Sequence, residues 1–185
     1  EYKTEFDLSQ NDINSDFIGL ELQGIDTYSS IYLNDSLIAT TDNMFVGKTV
    51  DIKKHSKVGK NNLYVKLFSP INKGVILHDS LGYDISSFNA NDLAEIGKVE
   101  GNKRVSVFTR KAPYHYGWDW GAKISPTGIW RKVELQSWSD CKIKDVSIVQ
   151  DNLTDTLASL TANIEIESSV EKPITIKAYD KVWGN

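Results

Sequence analysis

Apolar and polar residues alternate with a period of two along much of this 185-residue chain. In YKTEFDL, Tyr2, Thr4, Phe6 and Leu8 alternate with charged residues. In NLYVKLF, Leu63, Val65 and Leu67 do the same, and KTVDI, RVSVF and KVELQ repeat the habit. Successive side chains of a strand point to opposite faces, so this alternation describes strands with one face on a core. Clusters of Asn, Asp, Gly and Ser separate the runs. The combination predicts an all-β, antiparallel sandwich. SSIYLNDSLIAT predicts a hairpin that turns at Asn34-Asp35, because both residue types tolerate the positive φ of a tight turn.

Residues 69–102 are richer in Gly, Asn, Asp and Ser, and their periodicity is poor. They read as a long excursion between strands, with a short helix within residues 85–97 where Leu93 and Ile96 share a face. After Trp138 the alternating style restarts: CKIKDVSIVQ, LASLTANIEIES and KPITIKAYD read as three further strands. The expected organisation is a first sandwich over 1–138 and the beginning of a second over 139–185, with the boundary near 137–140.

The formal net charge is −4, without a basic run of the kind that marks nucleic-acid binding. No apolar stretch approaches the roughly 20 residues of a membrane span. Cys141 is the sole cysteine, so an intrachain disulfide and a cysteine-based zinc site are excluded. No phosphate-cradling glycine loop and no metal-ligand spacing appears, and no cofactor is expected. The stretches NDS at Asn34 and NLT at Asn152 fit the glycosylation sequon.

The densest chemistry lies in RKAPYHYGWDWGAKISPTGIWRKVEL, residues 110–135. Aromatic faces beside a carboxylate suit sugars, whose C–H faces stack on Trp and whose hydroxyls donate to carboxylate oxygens. In an extended strand Trp118 and Trp120 would point away from Asp119, and Gly117 and Gly121 would allow the turn that brings them together. The same residues also suit a core pair of tryptophans with Asp119 capping a turn. Glycoside hydrolysis takes two carboxylates. Asp119 is the one acid in this cluster, and Glu95 and Glu100 belong to the long excursion and read as solvent-facing. His115 has no Ser or Cys nucleophile beside it in sequence.

GIDTYSSIYLND, DNMFVGKTVDI, NNLYVKLFSP and RKAPYHYGWDWGAKISPTGIWRKVEL, in that order, resemble the N-terminal part of the β-mannosidases of glycoside hydrolase family 2. Asn34-Asp35 stands where Asn-Gly is usual in the family, and Ala122 and Lys132 stand where prolines are common. The resemblance implies a galactose-binding-like jelly roll, then part of an immunoglobulin-like sandwich. In the full protein it implies a (β/α)₈ barrel carrying both catalytic glutamates. It implies a β-mannoside substrate and no catalytic residue on this chain. It also implies that Trp118 and Asp119 line the terminal sugar's subsite, with Trp120 and Asn43 as further candidates and Trp120 read as core. Arg110, Trp130 and Arg131 read as scaffold. A periplasmic, secreted or lysosomal setting would follow. The alternatives are a free-standing carbohydrate-binding module, or part of a related β-galactosidase or β-glucuronidase.

Overall fold

A computed structural model describes residues 1–83, 85, 105–117 and 124–179. The chain divides into two compact units, Glu1–Ser137 and a second that begins at Trp138.

The first unit is an all-β sandwich. One sheet has four antiparallel strands in the order β1 (Tyr2–Leu8), β7 (Gly59–Phe68), β4 (Tyr28–Leu33) and β5 (Ser36–Asp42). Another has three, in the order β6 (Lys48–Asp51), β2 (Phe17–Leu22) and β9 (Val133–Trp138). A short ladder joins β3 (Ile25–Asp26) to β8 (Gly128–Ile129). The alternation works as expected on the central strands. In β4, Ser29, Ile31 and Leu33 are buried while Tyr28, Ser30 and Tyr32 are less so. In β7, Asn61, Leu63 and Val65 turn inward. Ile18, Leu20, Leu22 and Ile52 complete one core cluster with Ile31, Leu33, Leu63 and Val65. On the edge strand β1 the pattern holds less well: Leu8 is buried, but Tyr2 is 46% exposed.

The β4–β5 hairpin turns where the sequence places it, with φ of 46° at Asn34 and 66° at Asp35. Asn34 adds a second role. Its amide donates to the His55 carbonyl (2.8 Å) and to Asn61 Oδ1 (2.9 Å). Asn61 is fully buried and is tolerated there because its amide also donates to the carbonyls of Lys57 and Gly59, both at 2.8 Å.

Three expectations fail. The excursion after Ser69 opens with a helix, α2 (Pro70–Leu81), and not with a loop. Its punctuation was present in the sequence. Ser69 Oγ accepts from the Asn72 N–H, Pro70 supplies the first turn, and Gly82 ends the helix at φ 79°. The periodicity was weak because only Pro70, Ile71 and Gly74 are buried. Gly74 allows a close approach: a Cβ there would lie 2.7 Å from the Val105 Cβ. The second failure is RVSVF. Ser106–Phe108 form one turn of 3-10 helix, and Val105 is buried beneath α2 with Ile71 and Tyr116. Two alternating positions were too few to separate a strand from a turn. The third is KPITIKAYD, which carries no strand in its described part, 172–179. A further short helix, α1 (Gln10–Asn14), starts in a capping box between Ser9 and Asp12. The helix expected within residues 85–97, and Glu95 and Glu100, lie outside the described residues apart from Ile85 itself.

The second unit is a two-stranded antiparallel ribbon, β10 (Cys141–Leu153) with β11 (Ala158–Ser168). Cross-strand partners Ile143 and Ile166, and Val146 and Ile164, gather on one face. Register shifts interrupt the ladder between Ile143 and Asp145 and between Gln150 and Asn152. Thr154 closes the turn, its N–H donating to the Leu157 carbonyl and its Oγ1 accepting from the Leu157 N–H.

Candidate functional site

Segment 105–117 and segment 124–130 converge on β3 and on the turn after β5. Asn43 forms a parallel bridge with Arg110. The Met44 N–H donates to the Arg110 carbonyl (3.0 Å), and the Ala112 N–H donates to the Met44 sulfur (3.1 Å). Trp130 Nε1 donates to the Met44 carbonyl at 2.9 Å, and the Arg131 guanidinium lies 4.2 Å from the Trp130 ring centre. Arg110 pairs with Asp42 across the exposed surface at 2.9 Å. The scaffold reading of Arg110, Trp130 and Arg131 therefore has contacts behind it.

Beneath these contacts lies a buried ionic cluster that no sequence pattern signalled. Asp26 at the end of β3 is 4% exposed, and the Lys111 side chain is fully buried. The Lys111 ammonium donates to Asp26 Oδ2 and to the Pro126 carbonyl, the latter at 2.7 Å. Thr27 Oγ1 donates to the other Asp26 oxygen. His115 Nδ1 lies 3.5 Å from Asp26 Oδ2, within ion-pair range but without hydrogen-bond geometry. Burial pulls the Lys111 pKa below its ordinary value, outweighing the bond and the charge of Asp26. Burial, then the Lys111 charge, pulls His115 below its ordinary 6.5 against the opposing pull of Asp26, so the imidazole is neutral at pH 7.

The cluster opens onto a cleft of about 340 Å³. Phe45, Tyr114 and Trp130 border it, at 52%, 65% and 44% exposed, and Asp26, His115 and Pro126 line it. The Tyr114 ring stands edge-on to His115 at 4.6 Å. Exposed rings around polar depth suit a polyhydroxylated ligand. Hydrolytic chemistry is another matter. Asp26 is consumed by its own partners, and among the described residues the cleft presents no second carboxylate for an acid/base pair.

Of the predicted site residues, Trp118, Asp119 and Trp120 lie outside the described residues. Their nearest described neighbours are Gly117 and Ile124. Asn43 is half-buried, and its Oδ1 accepts from the Phe45 N–H at 3.0 Å, an Asx turn that orients one wall of the cleft. Sequence reasoning missed Asp26, Lys111 and the Phe45–Tyr114–Trp130 rim. Asp26 stands in GIDTYSS, where nothing marks it as buried. Lys111 follows Arg110 and precedes Ala112, Pro113 and Tyr114, and nothing in that run separates it from a surface cation.

A family model for the glycosyl hydrolase 2 galactose-binding domain-like family matches residues 1–131. The chain is 31% identical over 176 residues to β-mannosidase B of Aspergillus flavus, covering 92% of this chain and 19% of that protein. It is 30% identical over 154 residues to β-mannosidase B of Aspergillus niger, covering 82% and 17%. Among solved structures, a β-D-mannosidase from Dictyoglomus thermophilum matches with a TM-score of 0.76 at 32% identity, over 90% of this chain and 19% of that one. An exo-chitosanase from Amycolatopsis orientalis shares the fold at a TM-score of 0.59 and 17% identity, over 91% and 16%. The chain thus spans about a fifth of the length of the β-mannosidases it matches. With its two-sheet core and its matched residues 1–131, the chain belongs to the galactose-binding-like domain family of glycosyl hydrolase family 2.

Proposed function

We propose that this chain is the N-terminal portion of an exo-acting β-mannosidase, which removes terminal β-D-mannose from oligosaccharides. It contributes sugar contacts to an active site whose two catalytic glutamates sit on a barrel elsewhere in the full protein. The observation that carries this reading is the 32% identity with the Dictyoglomus thermophilum β-D-mannosidase, sustained over 90% of the chain at a TM-score of 0.76. The consumed Asp26 and the absence of a second carboxylate in the described cleft fit a binding role rather than a hydrolytic one. In this reading Asp119 accepts from mannose hydroxyls, Trp118 walls the ring, and Trp120 and Asn43 shape the surroundings. The ribbon of β10 and β11 opens an immunoglobulin-like sandwich whose other strands cover its apolar face.

The test is hydrolysis by the full-length protein that carries this chain. Aryl β-mannosides should be turned over in preference to aryl β-galactosides and β-glucuronides, and the present chain alone should turn over none of them. Charge-assisted bonds from sugar hydroxyls contribute roughly 1.5–3 kcal/mol each. Asp119→Ala should therefore lower kcat/KM by about tenfold to a few hundredfold. A preference for galactosides or glucuronides would overturn the substrate assignment, and an unchanged kcat/KM in Asp119→Ala would overturn the contact.

A further inference from the structure

We propose that Lys111 is a positioning residue, whose buried ammonium ties together the two chain ends bordering the stretch that carries Trp118 and Asp119. The inference rests on the β-mannosidase reading and adds to it the device that sets the sugar contacts in place.

Three parts of the chain meet at this one nitrogen. Lys111 itself belongs to the incoming segment, which reaches Gly117. The Pro126 carbonyl, 2.7 Å away, belongs to the outgoing segment, which resumes at Ile124. Asp26 belongs to β3 of the sandwich, and its backbone partner in β8 is Gly128, two residues beyond Pro126. Both ends of the stretch 117–124 are thereby referred to a fixed strand. The incoming end is held again at Tyr116, fully buried with Ile71 and Val105, and at His115, 3.5 Å from Asp26.

Stability does not account for this choice of residues. A desolvated Lys–Asp pair adds little over a well-packed apolar pair of the same volume, which is often as stable or more so. What an ammonium adds is direction: it bonds a carboxylate and a carbonyl at once, and an aliphatic side chain bonds neither. Displacement of a contact residue by about 1 Å can cost a hundredfold in rate.

The experiment uses the full-length enzyme and an aryl β-mannoside. In Asp26→Asn/Lys111→Met both charges go together, so no unpaired charge stays buried, and the amide oxygen introduced at position 26 can still accept from Thr27. The expected result is a folded enzyme with a melting temperature within a few degrees of the wild type and a kcat/KM lower by about tenfold to a hundredfold. The loss should shrink when the pair is replaced in an Asp119→Ala background, because Trp118 is then the one proposed contact left to position. A purely structural role would give the same loss in both backgrounds, and that outcome overturns the proposal, as does unchanged kcat/KM in the folded variant. Should the double variant not fold, Asp26→Leu/Lys111→Met, which fills the same space with two apolar side chains, takes its place under the same criteria. If Asp119→Ala is impaired and the Lys111 variant is not, this inference alone falls. If Asp119→Ala is unimpaired, the sugar-contact reading falls and takes this inference with it.

Discussion

The two units of this chain are written in the same alternating style, and they use it differently. In the first, Ile18, Ile31, Leu33 and Ile52 have no solvent exposure, because two sheets face each other and each supplies what the other must cover. In the second, Ile143, Val146, Ile148 and Leu160 are 48–64% exposed, and no described residue from Trp138 onward is buried. A run such as TANIEIES specifies a strand and nominates a face for burial. Burial itself needs a second layer, which the ribbon's own two strands do not provide.

The contrast can be broken or sharpened by substitution, most strongly at the ion pair beneath the cleft. Lys111→Met alone leaves the Asp26 carboxylate buried without its cation, and removing one partner of a buried pair costs about 3–5 kcal/mol. Denaturant unfolding of this chain should show that loss in the first unit, and adding Asp26→Asn should restore most of it. A neutral Lys111→Met would mean that the site is wetter than its geometry indicates.

Core truncation comes next. Ile31→Ala removes a fully buried side chain and should cost roughly 2–5 kcal/mol. Ile148→Ala, on a side chain 64% exposed, should stay within about 0.5 kcal/mol. Amide exchange adds the backbone view, with Leu63 and Val65 expected to exchange far more slowly than Ile148 and Leu160. Equal protection in a monomer would erase the contrast between the units.

A smaller effect is expected at the cap of α2. Ser69→Ala removes the acceptor for the Asn72 N–H and should lower stability by about 1 kcal/mol. Because α2 packs on Val105 and Tyr116, the change should also speed exchange at Tyr116, while the ribbon stays unaffected.

The smallest effect is a pH dependence confined to the first unit. The His115 pKa is lowered on folding, mainly by burial and then by Lys111, with Asp26 opposing. Between that lowered value and the ordinary 6.5 the unfolded chain therefore binds more protons than the folded one. Stability should fall as pH drops through this window and level off below it. His115→Gln should flatten the stability profile in this window below the ordinary 6.5. A profile identical to the wild type would show that His115 gains nothing from its surroundings.

The amino-acid sequence by itself determined most of the strands, the inward faces of the central ones and the hairpin at Asn34-Asp35. These features are local: alternation needs only neighbouring residues, and positive φ needs only the right side chain at the turn. It also determined family membership, through long ordered motifs. Helix α2 was legible in its caps, Ser69-Pro70 and Gly82, and was hidden by a buried face only three residues wide. Only the tertiary structure decided which strands find a second layer, and why Asp26 and Lys111 belong together. Those two stand 85 residues apart. Their pairing exists because β3, the segment after Thr109 and Pro126 are packed around one buried point, where an ammonium must find oxygens or not be there at all.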